Sequence, residues 1–186
     1  MGLQESGHMP TKTADKINEY YLQKFLCERM SSKEGMRLPI SSGKSIRVDL
    51  ISYEVPTVAC TLKTERLDIL GYDLDDHSLV AFEIKGPDAD RPELENLFFQ
   101  GLEHRNWLER NKMGVKFLFD RDPLGRRINT KKRVRLILGF CDSEIPHLFL
   151  ELRKQAERED QYLKIDFVHM FKNENGDIEL FLYDER

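Results

Sequence analysis

Two neighbouring stretches, Glu65–Tyr72 and Leu79–Lys85, constrain the fold more than any other feature. Both carry apolar residues at odd and even positions alike. Successive residues of a strand point to opposite faces, so a strand that is apolar on both must be covered on both. Between them lies Asp73-Leu74-Asp75-Asp76-His77-Ser78, whose turn composition and length suit a longer hairpin loop. A sheet buried on two sides needs a helical layer on each.

Helical spacing is present where those layers are needed. Over Asp15–Met30, Ile17, Tyr20, Tyr21, Phe25 and Leu26 recur at helical intervals, with Thr13 placed as an N-cap. Asp90–Lys112 carries the strongest pattern. Asp90 and Glu93 form a capping-box start, Pro92 sits in the tolerant first turn, and Leu94, Leu97, Phe98, Gly101, Leu102 and Leu108 make one apolar stripe. Gly114 reads as its stop. Pro146–Arg158 predicts a third, shorter helix.

Further strands are expected at Ser45–Val55, closed by Pro56, and at Val115–Phe119, Val134–Phe140, Tyr162–Met170 and Ile178–Tyr183. The last two read as a hairpin around Asn173–Asp177, and Ser31–Lys44 as a loop. The fold class that follows is α/β, a mixed central β-sheet flanked by helices on both faces. At 186 residues one domain is expected, spanning 10–186, with a core of about 15–140 and a C-terminal helix and hairpin at 146–184. Residues 1–9, with Ser6-Gly7-His8-Met9, read as an expression-tag remnant.

Composition narrows the partners. Acidic residues number 33 and basic residues 29, a formal charge of −4, which excludes a uniformly basic nucleic-acid coat but not a local basic patch. Cys27, Cys60 and Cys141 are far apart and form no CxxC pair. That argues against a zinc ribbon, an iron–sulfur cluster or a disulfide framework, and predicts a reducing, cytoplasmic setting. No apolar run approaches the ~20 residues that span a bilayer, so no membrane partner is expected.

The polar exceptions in the two apolar strands are the informative residues. In Ala81-Phe82-Glu83-Ile84-Lys85, Glu83 and Lys85 share a face at the strand end, which Gly86-Pro87 closes at once. Asp68 sits alone between Leu67 and Ile69. A hairpin pairing brings Asp68 and Glu83 to one face, where two carboxylates repel unless a positive charge joins them. Magnesium fits, since it prefers oxygen ligands and needs only one or two carboxylates. Held there, it would polarise a phosphodiester oxygen and acidify a bound water, with Lys85 orienting that water or stabilising charge on the phosphate. The backbone carbonyl of Ile84 is a further possible ligand. The plain alternative is a surface Glu–Lys pair with no chemistry.

Arg66-Leu67-Asp68-Ile69-Leu70, then Leu79-Val80-Ala81-Phe82-Glu83-Ile84-Lys85-Gly86, then a helix carrying Gln100, resembles the PD-(D/E)XK nuclease superfamily, the restriction-endonuclease-like fold. The stretch Ser52-Tyr53-Glu54-Val55-Pro56-Thr57 is similar to archaeal and bacterial branched-DNA endonucleases within it. The resemblance implies a metal-dependent deoxyribonuclease that takes Mg2+ or Mn2+. Asp68 and Glu83 would be metal ligands, Lys85 the catalytic lysine and Gln100 a supporting catalytic residue. It also implies a possible homodimer and an acid from the first helix near the metal, Glu19 ahead of Glu28, with Glu54 a comparable outsider. Leu67 stands where the motif's name has proline. His104 stands where some members have tyrosine, and it has no partner histidine at metal-ligand spacing.

Between Arg126 and Arg135, six of ten residues are basic and none is acidic: Arg126, Arg127, Lys131, Lys132, Arg133 and Arg135. Such a run reads as a phosphate contact for DNA, or RNA, against the alternative of a loop kept soluble by charge. Trp107 and Tyr20 are candidates to stack on bases, although aromatic residues at helical spacing more often belong to a core. Against the nuclease stands a catalytically silent module of the same fold that binds nucleic acid or a protein.

Overall fold

The structure is a computed structural model and describes residues 18–40, 44–57, 65–119, 122, 124–141, 147–175 and 177–183. Ten elements follow in chain order: α1 Glu19–Met30, β1 Met36–Ile40, β2 Lys44–Pro56, β3 Arg66–Asp73, β4 Leu79–Ile84, α2 Arg91–Phe119, β5 Arg135–Phe140, α3 His147–Glu159, β6 Lys164–Lys172 and β7 Ile178–Leu182. The strands form one seven-stranded sheet in the order β1 to β7. Antiparallel pairing holds from β1 to β4 and between β6 and β7, while β4–β5 and β5–β6 run parallel. The mixed sheet of an α/β fold is therefore present. It curls enough for its edge strands β1 and β7 to approach each other.

Alternation sorts the core into two layers. Leu79 and Ala81 of β4, Leu136 and Leu138 of β5, and Ile165 and Phe167 of β6 pack with α2 and α3. Their neighbours Val80, Phe82, Ile84, Ile137, Val168 and Met170 pack with α1. Phe98, Phe149 and Phe167 close the first layer, with the Phe149 and Phe167 rings stacked 5.9 Å apart. Burying a side chain of that size stabilises the fold by ~2–3 kcal/mol. Gly101 lets α2 lie close on the sheet, because a Cβ there would come within 2.6 Å of Leu138.

Several element boundaries differ from expectation. The capping box forms as read, with Glu93 N–H donating to Asp90 Oδ1 at 2.9 Å and Asp90 N–H to Glu93 Oε2 at 3.0 Å. Yet α2 runs past Gly114 to Phe119, and the expected strand Val115–Phe119 is its last turns. Val115 and Phe119 lie four apart and both face the core, so the short apolar run has helical as well as strand periodicity. Gly114 faces open space, where its cost is only ~1 kcal/mol. The expected loop Ser31–Lys44 contains β1, whose Met36, Leu38 and Ile40 are buried at alternate positions. Pro39 is tolerated because β1 is an edge strand.

The first helix also presents a different face. Leu22, Leu26 and Met30 are buried, whereas Tyr20 is 72% exposed and Tyr21 is also exposed. Its cap among the described residues is Asn18, whose Oδ1 accepts from Tyr21 N–H at 2.8 Å. Ile17, the expected cap Thr13 and Cys60 lie outside the described residues. The Asp73–Ser78 turn forms as expected, with Asp73 Oδ1 accepting from the N–H groups of Asp75 and Asp76. No described helix is long and apolar enough to cross a membrane.

Candidate active site

The pairing of β3 with β4 runs from Tyr72↔Leu79 to Ile69↔Phe82. One residue beyond, the Asp68 side chain takes over, and its Oδ2 accepts the Ile84 N–H at 2.8 Å. From there β3 continues beside β2, through Val55↔Leu67 and Pro56↔Arg66. Strand β4 continues beside β5, through Glu83↔Leu138 and Ile84↔Gly139. The carboxyl of Asp68 thus stands in the gap where two strands part.

Leu70 pairs with Ala81, so two residues further along each strand Asp68 and Glu83 face each other on the α2 side. Glu83 is only 1% exposed. The two carboxyls share a hydrogen bond, and both pKa values are pushed up to about 8. Burial is the main cause for each. For Asp68 the Glu83 charge adds to it, while the Ile84 N–H opposes it. For Glu83 the Asp68 hydrogen bond and the Lys85 charge pull the other way. Two acids removed from water and set against each other hold protons that isolated carboxyls would release.

His104, on α2, is equally buried and lies 2.5 Å from Glu83, Nδ1 to Oε1. Burial lowers its pKa, which makes the neutral imidazole the ordinary form. Its other nitrogen, Nε2, has no hydrogen-bond partner among the described residues.

Lys85 completes the rim. Its Nζ donates to Glu19 at 3.2 Å (Oε2) and 3.4 Å (Oε1). Glu19 is the first residue of α1, and its position depends on Gly86. A Cβ at Gly86 would stand 2.9 Å from the Glu19 backbone nitrogen. One turn later, Gln23 Nε2 donates to Glu54 Oε1 at 2.9 Å and to the Asp68 carbonyl at 3.1 Å. Glu54 has a φ of 51°, in the left-handed region that non-glycine residues seldom adopt.

Asp68, Glu83, Lys85 and Glu19 therefore meet in space. Ile84 joins them through its N–H, which binds Asp68. Glu28 is exposed on α1 beside Lys24, and Glu54 reaches the site's backbone only by way of Gln23. Gln100 is half-buried on α2, one turn before His104, and takes no part in the contacts that join the acids and the lysine. Sequence reasoning missed His104 as the partner of Glu83. The available signal was its spacing, four residues after Gln100 on the same helix face. Nothing in the sequence pointed to Gln23.

The basic run needs correction. Arg126 is turned inward, its Nη1 2.7 Å from Asp49 and its Nε 2.7 Å from Asp122, with the guanidinium over the Phe119 ring. Arg135 lies inside β5, where its Nη1 meets Asp166 of β6 at 2.5 Å. These two are structural cations: Arg126 is held by the nearby Asp122 and the distant Asp49, and Arg135 by Asp166 on the neighbouring strand. Arg133 pairs with Glu109 at 3.2 Å and Lys132 lies 3.9 Å from Asp76, both on the surface. Arg127 and Lys131 are exposed.

The donor chemistry at the strand gap fits a hard divalent cation. Two oxygen acids stand close enough to share a hydrogen bond, and a doubly positive charge between them would offset the repulsion that raises their pKa values. Among the described residues no group of three or more His, Cys, Asp or Glu side chains is placed to hold a metal. Two carboxylates is a number magnesium accepts while it keeps several waters.

No protein-family model matches the chain, and no curated protein matches it either. Among solved structures it is similar to SfsA of Pyrococcus furiosus in complex with Ca2+. The identity is 14%, over 72% of this chain and 52% of that one, and the TM-score is 0.32. The chain spans about half the length of that protein.

Proposed function

We propose that this chain is a metal-dependent nuclease that hydrolyses phosphodiester bonds in DNA, on a restriction-endonuclease-like scaffold. The observation that supports this best is the pair of half-buried Asp68 and buried Glu83, two acids with raised pKa values at the gap between β3 and β4, with Lys85 on the rim beside them. Perturbed carboxyls gathered at a strand end are the arrangement that metal-assisted hydrolysis needs.

Asp68 and Glu83 would hold Mg2+ or Mn2+, and the Ile84 carbonyl is a further donor in this reading. When bound, the ion supplies Lewis-acid polarisation of the phosphate and a more acidic water. The protein's own groups do the positioning. The Ile84 N–H fixes one Asp68 oxygen, and His104 fixes one Glu83 oxygen, leaving the remaining lone pairs to the site. Lys85, held by Glu19, places an ammonium where negative charge grows on the phosphate. Arg127 and Lys131, exposed on the loop before β5, are the cations of the basic run left for the DNA backbone.

The test is cleavage of plasmid and branched DNA with Mg2+ by the wild type, Asp68→Ala and Lys85→Ala. Loss of cutting in both variants supports the assignment, and equal activity in all three removes it. A silent DNA- or protein-binding module of the same fold is favoured by one observation, the near-complete burial of Glu83. That reading predicts no Asp68-dependent Mg2+ heat in calorimetry.

A further inference from the structure

Beyond the acid pair, on the far side of His104, lies a cavity of about 590 Å3. Thr57 and Glu65 line it from the β2 and β3 side, and residues 103–107, 109 and 110 line it from α2, together with Arg133. Its volume falls within the ~300–1,000 Å3 of small-ligand sites. His104 is the shared wall. Its Nδ1 meets Glu83, and its Nε2 is buried with no hydrogen-bond partner among the described residues. The charges of Glu65 and Glu103, both in the cavity lining, act on this imidazole.

The lining suits one kind of ligand better than others. Three arginines, Arg105, Arg110 and Arg133, are matched by three glutamates, Glu65, Glu103 and Glu109, so a phosphate would find no net positive charge. Glu109 is already engaged by Lys112, Arg133 and the Val134 N–H. An apolar ligand would find too many charges. What remains is a mixed set of donors and acceptors beside Trp107, the chain's one tryptophan. A nucleobase offers both kinds of hydrogen-bonding edge and a flat face for stacking.

We infer that this cavity receives an unpaired nucleobase of the strand being cut, next to the scissile phosphate. This rests on the nuclease reading above for its setting, and it adds a substrate class: DNA with a single-stranded segment. Watson–Crick pairing would hide the base edges, so fully duplex DNA would fill the cavity poorly. Trp107 and Arg110 are the recognising residues, and His104 connects base occupancy to the Glu83 that it positions.

The experiment is binding without cutting, by the full chain in EDTA. Tryptophan emission reports on Trp107 alone, and anisotropy of a labelled oligonucleotide gives affinity. The probes are a single-stranded DNA oligonucleotide, its RNA counterpart, its duplex, and the same DNA strand made abasic. The expected result is quenching by the single strand and weaker binding of the duplex. The abasic strand should bind about ten-fold more weakly or worse, the loss typical of removing base stacking. Trp107→Ala should show a similar loss. Because Trp107 also packs on the core, the exposed Arg110→Ala is the second variant, and it should weaken the single strand more than the duplex. Equal affinity for the normal and abasic strands, unchanged emission on binding, or no binding overturns the inference. The RNA arm shows whether the sugar matters. Quenching without Mg2+-dependent cleavage would sink the nuclease reading and leave the base site standing. Cleavage without base-dependent quenching does the reverse.

Discussion

Replacing Asp68 with asparagine separates what the acid pair costs the fold from what it supplies to function. Asparagine keeps the shape and can still accept the Ile84 N–H, while its amide donates to Glu83 and its charge is gone. In the native chain the Asp68 pKa rises from 3.8 to about 8. The folded state therefore holds a proton that the unfolded chain releases. Its contribution is fully present below pH 3.8 and declines as pH rises through that window to about 8, where the loss levels off. Each pKa unit corresponds to ~1.4 kcal/mol, so a lone acid with this shift would lose up to ~6 kcal/mol.

Asp68 stands at a rim and keeps the Ile84 hydrogen bond when ionised. We therefore expect Asp68→Asn to stabilise the metal-free protein by ~2–4 kcal/mol at pH 8, and by little at pH 4. Urea unfolding in EDTA at several pH values measures both. The wild type should lose stability with rising pH, and the variant should show a shallower slope. Added Mg2+ should raise the midpoint of the wild type alone, since a ligand that binds only the folded state stabilises it. A variant as unstable as the wild type at pH 8, with the same slope, would falsify the account of two uncompensated acids.

Two further outcomes follow from the geometry. Gly86→Ala should push the start of α1 off the end of β4, costing ~1–3 kcal/mol in urea unfolding, and should also loosen the hold of Glu19 on Lys85. Unchanged stability and unchanged DNA cleavage would contradict that close approach. Arg126→Ala should lower stability by ~1–3 kcal/mol and leave the salt dependence of DNA binding as it was. Arg127→Ala and Lys131→Ala should each reduce the log–log salt slope by ~0.9 at nearly constant stability. The opposite pattern would return Arg126 to the DNA surface.

Much of the scaffold was legible because its signals are local. Apolar residues at successive positions of β4 required cover on both faces, and α1 and α2 provide it. The capping box of α2 was readable from Asp90 and Glu93 alone. Short apolar runs were the weak point. Val115–Phe119 satisfies two periodicities, and only its packing beside α2's stripe selects the helix. Met36–Ile40 carries just three apolar positions, and its pairing with β2 decides that it is a strand.

By itself the sequence placed Glu83 and Lys85 on one side of a strand and Asp68 on the strand before it, because side-chain direction alternates with residue number. Tertiary structure decided everything that depends on distant segments meeting. It set Asp68 into the gap between β3 and β4, His104 against Glu83, and Glu19 against Lys85 across Gly86. It also turned Arg126 and Arg135 inward, away from the surface that a run of basic residues suggested. The physical reason is that the direction of a side chain along a strand or helix is a property of its neighbours in the chain. A charge's partner is set by which acids and bases the folded sheet brings within a few ångströms, often from tens of residues away.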